Sequence, residues 1–189
     1  MTPYVTLVAL LIVFWAVGAY QRLLRQRKQC RTAFSQVEAQ AERRHELIPP
    51  LVAACRMRMP EEGAALDAVL AADKATLAAT AYAARNALGI DALVPLIEAE
   101  AMLESALHTM FVLKPHYSEA ASDLDLHRLI DELSALESRM AFARQVYNEA
   151  ASHYNAARVQ FPSSVIAVVF AFTPVASLPA TGTQQAGRP

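Results

Sequence analysis

Residues 3–20 read PYVTLVALLIVFWAVGAY, and residues 21–31, directly after them, read QRLLRQRKQCR. The first stretch has no charged side chain; the second carries Arg22, Arg25, Arg27, Lys28 and Arg31. At about 1.5 Å of rise per residue, such a run is just long enough to cross the hydrocarbon core of a bilayer as a helix. Tyr4, Trp15 and Tyr20 stand towards its ends, where amphipathic rings favour the headgroup layer. A secretory signal peptide would carry its basic residues before the apolar run, although Ala16-Val17-Gly18 has a weak cleavage-like pattern. A buried core helix would usually be shorter and keep one polar face. The flanks therefore predict a transmembrane anchor over residues 1–20. The positive-inside rule predicts that its N-terminus lies outside and the bulk of the chain in the cytoplasm.

Beyond the anchor the helical pattern persists. Leu23, Cys30, Phe34, Val37, Ala41, Ile48, Leu51 and Cys55 fall at alternating three- and four-residue steps if Arg27 and Arg44 occupy two of the slots. This heptad-like, coiled-coil stripe predicts one long helix to about Met59. Pro49-Pro50 predicts a kink but no stop, because the stripe continues in phase. Met59-Pro60-Glu61-Glu62-Gly63 breaks the helix, with proline and acids suited to the first turn of the next.

Three further helices are predicted. The second runs from about Glu61 to Leu88, with Leu66, Leu70, Leu77 and Ala81 on one face and a C-cap at Gly89. The third is capped by Asp91 and runs to about Leu113, with Leu93, Leu96, Ile97, Leu103, Leu107 and Phe111 inward. Residues 114–118 read as a loop, and Ser122 to Asp125 as a capping box for the fourth helix. That helix carries Leu126, Leu129, Leu133, Leu136, Met140, Tyr147, Tyr154 and Phe161. Short connections make sequential helices antiparallel, so the fold predicted is all-α: a transmembrane helix continuing into an antiparallel four-helix bundle over residues 21–160. Pairing the start of the first helix with the end of the fourth makes partner numbers sum to about 182, which places Glu137 near Arg44 or His45 and Arg144 near Glu38.

Residues 161–189 read as a short apolar segment and a disordered tail. The octet Val165–Phe172, VIAVVFAF, is too short to span a bilayer. It either folds back on the bundle as a flap or, released beside the emerging anchor, lies in the headgroup boundary.

Charge is unevenly distributed. The net value is −1, but residues 22–58 hold nine Lys/Arg against three Asp/Glu, and the rest of the chain is acidic. The basic segment is expected to pack on the acidic one and to meet anionic lipid. No interleaving of basic and aromatic residues points to nucleic acid. Cys30 and Cys55 lie on one helix about 37 Å apart, too far to bridge within a chain, and suit a reducing compartment.

Catalytic signatures fail on inspection. His45-Glu46 opens like a zincin motif, but the second histidine position holds Pro49. Glu42 and His45 form a single Glu-x-x-His, whereas a di-iron bundle needs two and two more carboxylates. Glu104–His108 and Glu149–His153 are each spaced one residue too long. His45, His108, His116, His127 and His153 are scattered over four elements and read as surface or interface residues. Tyr147-Asn148 recurs as Tyr154-Asn155, seven residues on and facing the same way. Together with Glu137 and Arg144, near the apolar stripe, these suggest register-fixing polar residues.

The order of segments, FSQVEAQAERRHELIPPLV (Phe34–Val52), ESRMAFARQVYNEAASHYN (Glu137–Asn155) and FPSSVIAVVF (Phe161–Phe170) behind an N-terminal anchor, resembles the LemA family of bacterial membrane-anchored helical proteins. The chain departs from the usual family pattern at Pro50, where asparagine is usual, at Tyr117-Ser118, where an aromatic-proline pair is usual, and at Phe34, where tryptophan is usual. The resemblance implies a single-pass protein of the bacterial inner membrane. It supplies no catalytic, cofactor-binding or metal-binding residue, and it hints at a membrane metalloprotease as partner. The function expected is therefore a non-catalytic scaffold or interaction protein. An accessory subunit of such a protease and a carboxylate-bridged metal enzyme are the alternatives. Membrane lipid and a second copy of the chain are further expected partners.

Overall fold

A computed structural model describes residues 2–57, 59–86, 88–113 and 124–179. The described residues are helical throughout their ordered elements, without strands: α1 (Thr2–Arg56), α2 (Gly63–Arg85), α3 (Ile90–Leu113), α4 (Leu124–Val159) and the short α5 (Ser163–Val169). The all-helical class read from the sequence holds. The predicted loop over 114–118, Ser122 of the capping box and the tail from residue 180 lie outside the described residues.

Helix α1 is a single element through Pro49 and Pro50, whose rings lie exposed. Its start is long and apolar enough to cross a membrane, and only 11% of the most apolar window is buried. Leu7, Leu10, Leu11 and Phe14 all face outward. A helix apolar on every side and covered on almost none is not a core helix. Burial sets in at Ala19 and Leu23, and from there every apolar stripe residue named above, from Leu23 to Cys55, is buried, while Arg27 is half-buried. Arg44, in its slot of the stripe, is buried with them.

Helix α1 packs lengthwise on α4 and α2, and α2 on α3. Contacts between α1 and α4 descend in one as they ascend in the other: Phe34 stacks edge-on against Tyr147 (5.3 Å between ring centres), and Arg44 meets Glu137 (3.2 Å). Their numbers sum to 181, next to the sum of 182 predicted. The stripe of α4 is buried from Leu126 to Tyr154, with Leu129 half-buried; Phe161 lies beyond the helix end and is exposed.

Helix α2 is rotated from the face expected. Its buried residues are Leu66, Val69, Asp73, Thr76, Thr80 and Ala83, while Leu70, Leu77 and Ala81 are half-buried. Three of the six are polar, so counting apolar residues alone picked a neighbouring face. Two caps also differ. Asp91 lies within the first turn of α3, which begins at Ile90. The left-handed residue between α2 and α3 is Leu88 (φ 59°), not Gly89. A left-handed leucine costs about 1–2 kcal/mol. Its side chain is wholly buried in the core, which offsets that cost at about the same scale.

Helix α5 ends in a Schellman turn. Phe172 N–H donates to the Ala167 carbonyl (2.9 Å) and Ala171 N–H to Val168 (3.3 Å), with Ala171 left-handed (φ 51°). Residues 172–179, expected as disordered tail from Thr173 on, instead form an ordered strap against the helices, with Phe172, Val175 and Leu178 buried.

Candidate functional site

Two polar constructions stand out from the apolar interior. The first is a layer of charge across the helices. Arg44 on α1 reaches Glu100 on α3 (2.9 Å) and Glu137 on α4 (3.2 Å), and Arg144 on α4 reaches the other oxygen of Glu100 (2.7 Å). One carboxylate thus takes two guanidinium groups, both buried, and ties α3 to α1 and α4. Alongside, His45 pairs with the buried Asp73 of α2. The Thr76 hydroxyl lies within reach of the carbonyls of Ala72 (2.9 Å) and of Ala99 on α3 (3.1 Å).

Burial works against the charge on Glu100, but Arg44 and Arg144 outweigh it and hold its carboxyl below the ordinary range. Burial likewise opposes the charge on Arg44, and Glu100 and then Glu137 outweigh it, raising the pKa. Glu100 and Arg44 are both held in their charged forms at neutral pH. Their charges are spent on one another, which suits fixing helix register.

The layer divides the interior in two. On one side lie Leu23, Phe34, Leu93, Leu96, Met140, Tyr147 and Tyr154. On the other lie Ile48, Leu51, Leu66, Leu103, Met110 and Leu133.

The second construction is a ladder on α4 that grips the strap. Asn155 donates to the Val175 carbonyl (2.7 Å) and accepts from its N–H (3.1 Å); Asn148 does the same with Leu178 (2.7 and 2.8 Å). The hydroxyls of Tyr154 and Tyr147 donate to the carbonyls of Thr173 (2.9 Å) and Ala176 (2.7 Å). Seven helical residues advance about 10.5 Å. Three residues of extended chain advance about 9–10 Å, so the heptad repeat of Tyr-Asn matches a three-residue repeat in the strap. Each asparagine amide acts as a short piece of strand edge. The Ala176 N–H also donates to the Leu88 carbonyl (3.1 Å), locking the strap to the α2–α3 turn. Burial pushes the Tyr147 and Tyr154 hydroxyls above their ordinary pKa, which keeps both protonated as donors. Burial raises the Cys30 thiol too.

The predicted proximity of Glu137 to Arg44 is realised. Arg144, expected near Glu38, makes its ion pair with Glu100, which the sequence did not single out. Glu100 and Asp73 could have been found by phase. Glu100 occupies the slot between Leu96 and Leu103, and Asp73 the slot between Val69 and Thr76, in stripes of three- and four-residue steps. Among the histidines, His108 and His153 are exposed, His45 and His127 are half-buried, and His116 lies outside the described residues. His153 faces its own helix neighbour Glu149 at 3.7 Å. Among the described residues, no three His, Cys, Asp or Glu side chains are grouped to hold a metal ion.

No curated protein matches this sequence. The LemA family model matches residues 33–189, which takes in the stripe of α1 from Ala33, the charged layer, the ladder and the strap it holds. Since that match covers most of the chain, the chain belongs to the LemA family.

Proposed function

We propose that this protein is a non-catalytic, membrane-anchored helical scaffold. Its first twenty residues span the bacterial inner membrane with the N-terminus outside, and an antiparallel four-helix bundle stands in the cytoplasm. The observation that carries this reading is the continuity of α1: its uncovered apolar start runs without a break into the buried stripe that begins at Leu23. A single rigid element is then both anchor and core. The exposed Arg22, Arg25, Lys28 and Arg31 follow the apolar run and favour the cytoplasmic side, with anionic lipid as their partner. Mutual neutralisation of Arg44, Glu100 and Arg144 favours a structural role for the most buried charges.

As a scaffold it would act by holding a partner at the membrane. A shallow groove between α2 and α3, lined by Ala68, Ala72, Ala101, Met102 and Ala106, would admit close approach of another helix. A membrane metalloprotease, for which this chain would be an accessory subunit, or a second copy of the chain are the occupants to look for. Cross-linking in intact membranes followed by mass spectrometry tests this. A recurrent membrane-protein or self cross-link on α2 or α3 supports it, and cross-links confined to lipid-facing residues of α1 contradict it. Metal analysis of the purified chain tests the enzymatic alternative, for which a stoichiometric metal would be required.

A further inference from the structure

Helix α5 uses only one of its faces. Ser163, Ile166 and Ala167 are buried against the bundle, whereas Phe161, just before the helix, Val165, Val168, Val169 and Phe170 lie exposed. Val168 is 82% exposed. No charged residue occurs between Arg158 and Arg188, so nothing on this segment favours water over lipid by charge.

Its position is set by α1. Phe161 stacks on Trp15 (5.7 Å between ring centres), and Phe170 and Phe172 stack on Tyr20 (4.9 and 5.8 Å). Trp15 and Tyr20 are five residues apart, about 7.5 Å along the helix axis, and together they end the apolar run. Helix α5, bracketed by Phe161 and Phe170, therefore lies beside the last turn and a half of that run; with α1 as an anchor, that is the level an interfacial helix occupies, about 5–10 Å into the headgroup and acyl boundary. Between α1 and the start of α5 runs an apolar groove of about 670 Å³, with Leu11, Phe14, Trp15 and Gly18 along it and Arg22 at its end. Apolar walls ending at a guanidinium match the chemistry of an anionic phospholipid.

We propose that the outer face of α5 is a second membrane contact, seated in the headgroup boundary of the leaflet from which α1 emerges. It rests on the anchor reading of α1 given above. Helix α5 packs on both α1 and α4, so the contact sets the tilt of the whole bundle against the bilayer.

Spin labels on the full chain in liposomes containing anionic phospholipid test it. Val168→Cys and, as a second reading of the same face, Val169→Cys are compared with Leu10→Cys in the apolar run and Met102→Cys on α3; all four positions are well exposed on the chain itself. The native Cys30 and Cys55 are buried, and the unsubstituted chain supplies their background. Oxygen-to-nickel-chelate accessibility at 168 and 169 should be several-fold above that at 102 and approach that at 10. Labels at 168 and 169 as open to the chelate as 102, with 10 in lipid, would overturn the contact and leave the anchor standing. A chelate-accessible label at 10 would overturn both.

Discussion

The two halves of the interior are built by different means. The half nearer the apolar run holds two fully buried tyrosines, an aromatic stack and a strap fastened by side-chain amides. The far half is almost wholly aliphatic, with Ile48, Leu51, Leu66, Leu103 and Leu133. Aliphatic packing is non-directional and tolerates small shifts, whereas each amide of the ladder specifies one backbone position. The near half is therefore the one whose geometry is fixed residue by residue, and it is the half that faces the membrane in the reading proposed here. Between them the charged layer sets the register on which both depend.

Breaking that layer should have the largest effect. Glu100→Leu leaves Arg44 and Arg144 buried without their shared carboxylate and should cost about 3–5 kcal/mol in denaturant unfolding of the full chain in detergent. Glu137→Gln, at a carboxylate about a third exposed, should cost only about 0–1 kcal/mol by the same measurement. Equal losses from the two would mean that Glu100 is not the hub.

The halves can then be separated. Ile48→Ala removes a fully buried far-half side chain and should cost about 2–5 kcal/mol, while amide exchange at Val175 and Leu178 stays slow under native conditions. Asn155→Ala should do the reverse: about 1–3 kcal/mol, with exchange at Val175 speeded and the far half unchanged. Strap amides that respond equally to both substitutions would erase the distinction between the halves.

The smallest expected effect is on acid stability. The folded-state pKa of Glu100 lies below its unfolded value, so its contribution is complete above the unfolded carboxylate value of about 4.3. It is lost as pH falls through the folded value. Thermal unfolding from pH 6 downward should show a steeper acid loss for the native chain than for Glu100→Gln; parallel curves would assign the acid sensitivity elsewhere.

Much of this architecture was legible in spacing. The stripe of α1, the stripe of α4 to Tyr154, and the pairing of Arg44 with Glu137 follow from three- and four-residue steps and from helix length alone. What escaped was polar: Asp73, Thr76, Thr80 and Glu100 hold core positions, and a count of apolar residues passes over them. The strap escaped for a different reason. Residues 172–179 have no helical or strand period, and their order comes from amides 20 and 30 residues earlier; only the matched repeats, Tyr-Asn every seven and Phe172, Val175 and Leu178 every three, announce it.

The central claim is that one helix is both membrane anchor and bundle core. Alkaline carbonate extraction of membranes from cells making the full chain, with the intact mass measured on each fraction, tests it most directly. The account predicts the chain in the membrane pellet with residues 3–20 still attached. Release into the supernatant, or a mass showing cleavage after Gly18, would contradict it.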